Sequence, residues 1–156
     1  MRKPLATAAT VAAALLLASP ALASTPAKKA PVKLSGKVNN HGTGKAEGTK
    51  AELEADDYYF EDTFVKAPKG KTITVKIESE GDQTHSFTID SQGIDETIEP
   101  GKSVTVKVKI PKNGKPVAAY CRFHKSLGMQ MAFFSKSGAK AKSSSSSSSS
   151  SGGYNY

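Results

Sequence analysis

The stretch Tyr120-Cys121-Arg122-Phe123-His124-Lys125-Ser126-Leu127-Gly128-Met129 offers a thiolate, an imidazole and a thioether at Cys-x2-His-x4-Met spacing. A Cys at a strand end followed by a short loop can turn a His and a Met toward the same metal ion. Two His, one Cys and a weakly bound axial Met form the trigonal site that copper uses for electron transfer. Zinc prefers four strong ligands and does not select a thioether. The loop supplies one of the three His in the chain, so a second must come from elsewhere. His41 sits in a Gly/Lys-rich stretch, whereas His85 opens an apolar alternation at Phe87 and Ile89, which makes His85 the expected partner. Met131 is a rival to Met129, but the loop count fits Met129. Taken singly, each residue could be ordinary packing; four such donors at two strand ends point to a site. No paired carboxylates and no Ser/His/Asp arrangement accompany them, so an enzyme is not expected.

Cys121 is the sole cysteine, so the chain cannot close an intramolecular disulfide. In an exported protein a lone thiol is a liability unless buried, paired with another chain or bound to metal.

The residues that must position this constellation read as β-structure. Ile73, Val75 and Ile77 alternate with Thr72, Thr74 and Lys76, and Val104, Val106, Val108 and Ile110 alternate with Thr105, Lys107 and Lys109. That period of two marks half-buried strands. Leu53 with Tyr58–Phe60 points to an earlier strand, Val117–Cys121 to a later one and Met131–Phe134 to the last. Pro68-Lys69-Gly70, Glu80-Gly81-Asp82, Pro100-Gly101 and Pro111-Lys112-Asn113-Gly114 supply turn residues between them. No segment carries a sustained helical period. The expectation is an all-β sandwich or Greek-key barrel over residues 51–135.

The flanks differ in kind. Residues 1–23 read as a signal peptide: Arg2 and Lys3, an Ala/Leu run from Leu5 to Leu17, and Ala21-Leu22-Ala23 at the cleavage site. The run is too short to span a bilayer, which needs roughly 20 apolar residues, so no transmembrane segment is expected in the mature chain. Residues 24–50 are a Lys/Ala/Gly-rich linker with one edge strand near Val32–Val38. Residues 136–156, with nine consecutive Ser from Ser143 to Ser151, form a Ser-rich tail expected to be disordered. The formal charge of +8 resides in these flanks: residues 24–50 carry +5, the tail +3, and residues 51–135 a net −2. Nucleic-acid binding is therefore not expected. The basic flanks suit weak electrostatic contact with an anionic cell surface.

From about Glu52 to Phe134 the chain resembles the cupredoxins of the plastocyanin/azurin group, above all small exported bacterial members. The resemblance lies in Tyr58-Tyr59-Phe60 through Pro68-Lys69-Gly70, in Thr84-His85-Ser86-Phe87, in Ile98-Glu99-Pro100-Gly101 and in Tyr120 through Met129. It implies a Greek-key β-sandwich binding one type 1 copper near one end, with His85, Cys121 and His124 in the trigonal plane and Met129 as the long axial ligand. Two positions depart from the family pattern: Ser86 stands where Asn often follows the first His, and Met131 where Gly often follows the axial Met. The Ser86 hydroxyl is expected to serve a similar role behind the ligands. The implied function is one-electron transfer to a protein partner of unknown identity, by a monomer in the periplasm, the cell envelope or the medium. His124 would be the electron port, with Phe123 and Leu127 as an apolar surround. The alternatives are an extracytoplasmic copper carrier or buffer using the same ligands, and a metal-free interaction module.

Overall fold

The computed structural model describes residues 30–136 and 139–141. The expected signal peptide and all but the first residues of the Ser-rich tail lie outside the described residues.

Twelve strands follow in order: β1 (Val32–Lys33), β2 (Thr43–Lys45), β3 (Lys50–Asp56), β4 (Tyr59–Phe60), β5 (Phe64–Lys66), β6 (Thr72–Ser79), β7 (His85–Ile89), β8 (Ile94–Ile98), β9 (Ser103–Lys109), β10 (Val117–Tyr120), β11 (Gln130–Phe134) and β12 (Ala139–Lys140). Single 3-10 turns cover Asp90–Gln92 and Lys125–Leu127. One sheet has the order β2-β5-β11-β10-β7-β8 and the other β4-β3-β6-β9. The chain passes repeatedly between the two, giving the Greek-key β-sandwich anticipated from the alternation.

Alternation explains the four-stranded sheet directly. Ile73, Val75 and Ile77 of β6 are fully buried, and they pair with Val108, Val106 and Val104 of β9. On the other side of β6, Ala51, Leu53 and Ala55 of β3 face Val75, Ile77 and Ser79. The intervening Thr and Lys residues point to solvent. Burial of each large aliphatic side chain stabilises the fold by about 1.5–3 kcal/mol.

The six-stranded sheet is buried on both faces along β7 and β11; period two fails in β11, while β7 keeps its alternation and buries its hydroxyl face as well. Inward, Phe87 meets Phe60 and Phe133 edge-on at ring separations of 6.0 and 6.4 Å. Outward, Ala132 and Phe134 pack with Val32 and Phe64 in a second, smaller cluster that Leu34 and Ala141 help to cover. Residues 30–50, expected as a linker with one edge strand, thus hold two short strands. Strand β1 pairs in parallel with β12, and β2 pairs in parallel with β5 at the sheet edge. The apolar content of this segment is small, but Val32 and Ala46 are both buried. Strand β8 was not expected either: in Ile94-Asp95-Glu96-Thr97-Ile98 only the end residues are apolar, which suits an edge strand paired on one side with β7.

Candidate metal centre

The loop between β10 and β11 closes on itself. The backbone N–H of Cys121 donates to Met129 O (3.0 Å), that of His124 to Cys121 O (3.2 Å), and that of Met129 to His124 O (3.2 Å). The 3-10 turn Lys125–Leu127 ends at Gly128, whose φ of 106° suits a residue without Cβ. Asn39 locks the loop from outside: its N–H donates to Gly128 O (2.9 Å), and its Nδ2 donates to Leu127 O and Tyr58 O. A Cβ on Gly128 would lie 2.7 Å from Asn39 Oδ1, so the two residues fit only as this pair.

Strand β7 delivers the third donor. The backbone N–H of Ser86 donates to Cys121 Sγ (3.3 Å) and fixes the two ligand-bearing segments side by side. His85, Cys121 and His124 then bring one donor atom each into a single cluster. His124 Nδ1 lies 3.5 Å from Cys121 Sγ and 3.3 Å from His85 Nδ1. Metal bonds of about 2.0–2.3 Å at 120° to one another separate donor atoms by about 3.5–4 Å, so these spacings fit trigonal coordination without large movement. His85 and Cys121 are fully buried, while His124 is half-buried. Burial and the neighbouring His124 hold the His85 pKa below its ordinary value, against an opposing pull from Asp57. The neutral imidazole so favoured is the ligating form.

Strand pairing separates the two methionines. Tyr120 faces Gln130 and Ala119 faces Met131, so Cys121 and Met129 stand opposite each other just beyond the last pair. Opposite residues in an antiparallel pair share a face. Met129 therefore stands on the face of Cys121, directly opposite it, and Met131 lies two pairs deeper, opposite Ala119. Both are fully buried.

Ser86 occupies the position where a hydroxyl was expected to serve. Its Oγ accepts the Arg122 N–H at 2.8 Å and contacts Thr88 Oγ1 at 3.0 Å; Thr88 in turn donates to Asp95 Oδ1 at 2.7 Å. Arg122 returns to Asp95 and to Thr97 Oγ1 through its guanidinium. The chain from Cys121 to β8 is thus a closed polar network, of which Thr88, Asp95 and Thr97 carried no sequence signal. Phe123 (48% exposed), Leu127 (43%) and Tyr58 (38%) are the exposed large hydrophobic residues among those described. Tyr58 meets the His124 ring edge-on at 5.0 Å and Phe123 lies 6.3 Å away. Phe123 and Leu127 were expected here; Tyr58, in a turn far upstream, was not.

A family model of the cupredoxin-like domain matches residues 7–132, and the chain belongs to that family. Cupredoxins are copper-binding proteins of the electron-carrier type. The matched span begins well upstream of the domain start expected at residue 51. Among solved structures, the metal-binding domain of a Cu(I)-exporting P-type ATPase from Streptococcus pneumoniae superposes with a TM-score of 0.51 at 13% identity, over 62% of this chain and 97% of that one. A copper-binding protein solved in its apo form gives 0.51 at 10% identity, over 61% and 98%. Auracyanin from Roseiflexus castenholzii gives 0.47 at 18% identity, over 62% and 99%. At these identities the likeness to the first two is one of fold. No curated protein matches the chain. Among the described residues no helix is long and apolar enough to cross a membrane.

Proposed function

We propose that this chain is an exported one-electron carrier whose single copper ion is held by His85, Cys121 and His124, with Met129 as the axial ligand. One observation carries the reading: three donor atoms of the right types lie within 4.8 Å of one another, with His124 Nδ1 3.3 Å from His85 Nδ1 and 3.5 Å from Cys121 Sγ, two of them in residues sealed from solvent and the third in a ring that reaches the surface. Bound there, copper supplies one-electron exchange between Cu(II) and Cu(I).

The residues divide the work. Cys121 offers its thiolate, oriented by the Ser86 N–H. His85 and Met129, buried among apolar side chains, keep water from the coordination sphere. His124 presents the exposed imidazole edge through which an electron would leave, and Tyr58, Phe123 and Leu127 make the apolar rim on which a protein partner would dock. The loop's own hydrogen bonds hold its donors in place without a metal, which supports electron transfer over a carrier that must release copper.

Loading the purified chain with Cu(II) and recording its absorption spectrum tests this. An intense blue thiolate-to-copper band, abolished by Cys121→Ser, is expected. A colourless protein that takes up stoichiometric zinc overturns the reading. Release of copper to a chelator on reduction, in place of retention, favours a copper buffer.

A further inference from the structure

His85 uses Nδ1 toward the donor cluster, which leaves its other ring nitrogen to be accounted for. Nε2 is buried and has no hydrogen-bond partner within normal range among the described residues. Leaving such a group unpaired in a protein interior is costly. Asp57 Oδ1, in the turn between β3 and β4, lies 3.5 Å from Nε2.

That carboxylate is placed by its surroundings. Asp57 Oδ1 also accepts the Gln83 N–H at 3.3 Å, which ties it to the segment leading into β7. Gly81 leaves the space it occupies: a Cβ there would lie 2.3 Å from Asp57 Oδ1 and 3.0 Å from Asp57 Cγ. The adjacent carboxylate of Asp56 is engaged elsewhere, accepting from Tyr59 Oη (2.7 Å) and from the Asp57 N–H (2.6 Å). The next residue in the same turn is Tyr58, which holds a φ of 75° and lies against His124. One short turn thus touches both imidazoles, Asp57 beneath the buried one and Tyr58 against the exposed one.

We infer that Asp57 is a positioning residue for the metal centre: its carboxylate accepts the Nε2 proton of His85, fixes the tautomer that frees Nδ1 for the metal, and biases the centre toward its more positive oxidation state. The inference rests on the copper reading above. A carboxylate on the far nitrogen of a ligating imidazole raises that ligand's basicity. Its negative charge, acting from a partly buried position, favours Cu(II) over Cu(I).

The test is the reduction potential of the copper-loaded chain, with Asp57→Asn, Gly81→Ala and Asp82→Asn. Asp57→Asn keeps the shape and removes the charge. It should retain the blue band and shift the Cu(II)/Cu(I) ratio at fixed potential about tenfold toward Cu(I), which is about 59 mV for one electron. Gly81→Ala leaves the charge in place but pushes the carboxylate off His85, and should move the potential in the same direction. Asp82→Asn removes a neighbouring exposed charge and should shift the ratio less than twofold. An Asp57→Asn shift under twofold, or one matched by Asp82→Asn, overturns the inference. Nitrogen-15 NMR of the metal-free chain tests the hydrogen bond without copper. The His85 proton is expected on Nε2 in the parent and exchanging rapidly in Asp57→Ala; a proton on Nδ1 in the parent overturns the inference. A parent chain without the blue band would instead sink the copper reading, and the tautomer would still decide the hydrogen bond.

Discussion

His85 and His124 bring their Nδ1 atoms within 3.3 Å of each other, yet the fold holds them in opposite ways. His85 starts a strand buried along its whole length and is set among residues distant in sequence: Asp57, whose Oδ1 lies 3.5 Å from Nε2, and, through Ser86, Cys121. His124 sits in a loop whose hydrogen bonds are mostly local, with one imidazole edge among exposed rings. In the proposed electron-transfer centre this difference would serve two needs: one ligand would exclude water and resist change with oxidation state, and the other would bring the metal near a partner.

The largest test of this contrast replaces each ring in turn. His124→Gly opens a surface notch, and added imidazole should restore most of the blue band. His85→Gly opens a sealed cavity, and the same imidazole should restore less than about a tenth, because entry requires the sandwich to open. Equal rescue in absorption titrations would erase the distinction.

Stability measurements sharpen it next. Phe87, two residues along from His85 and packed between Phe60 and Phe133, should cost about 3–5 kcal/mol when cut to Ala. Phe123, next to His124 and 48% exposed, should cost within about 0.5 kcal/mol while slowing electron exchange with a protein partner. Denaturant unfolding and stopped-flow reduction would read the two effects separately. Ser86→Ala, which strips the Arg122 N–H of its acceptor, should cost about 1–3 kcal/mol. Asn39→Ala should cost about 1 kcal/mol, with NMR line broadening confined to the His124 loop; broadening at His85 would contradict the division.

The smallest effect lies at high pH. Tyr59, through its bond to Asp56, and Tyr120, through burial and its bond to Asp90, are both pushed up to about 12. Their folded pKa values lie above the ordinary value of 10, so the stability they contribute is complete below pH 10 and is lost as pH rises through 12. Ultraviolet titration of the folded chain should show two late phenolates, and Asp56→Asn should bring Tyr59 back toward 10.

How legible each part was follows the distance over which it acts. Cys121, His124 and Met129 lie within nine residues, so their spacing constrains their geometry and announces the chemistry. His85 lies thirty-six residues from Cys121 and was reachable only by elimination among three His and by resemblance. Strands β6 and β9 showed in the alternation because one face of each meets water. Strand β11 broke the pattern because the segment around β1 covers its outer residues Ala132 and Phe134, while β7 kept its alternation and buries Ser86 and Thr88 in hydrogen bonds with Arg122 and Asp95. Strands β2, β5 and β8 are short or polar, and their pairing partners hold them in place more than their own side chains do. Asp57 and Asn39 read as ordinary turn residues, since Asp and Asn favour turns for local reasons.

Residue types and short-range spacing were enough to specify the all-β class and the sandwich and to single out Cys121, His124 and Met129 as candidate donors, because side-chain periodicity and ligand chemistry are properties of neighbouring residues. The pairing of β10 with β11 set Met129 opposite Cys121 and put Met131 two pairs deeper. The packing of remote turns brought Asp57 to His85, Tyr58 to His124 and Asn39 to Gly128. Such contacts depend on where two sheets and their connecting turns meet in space, and no local pattern encodes that meeting.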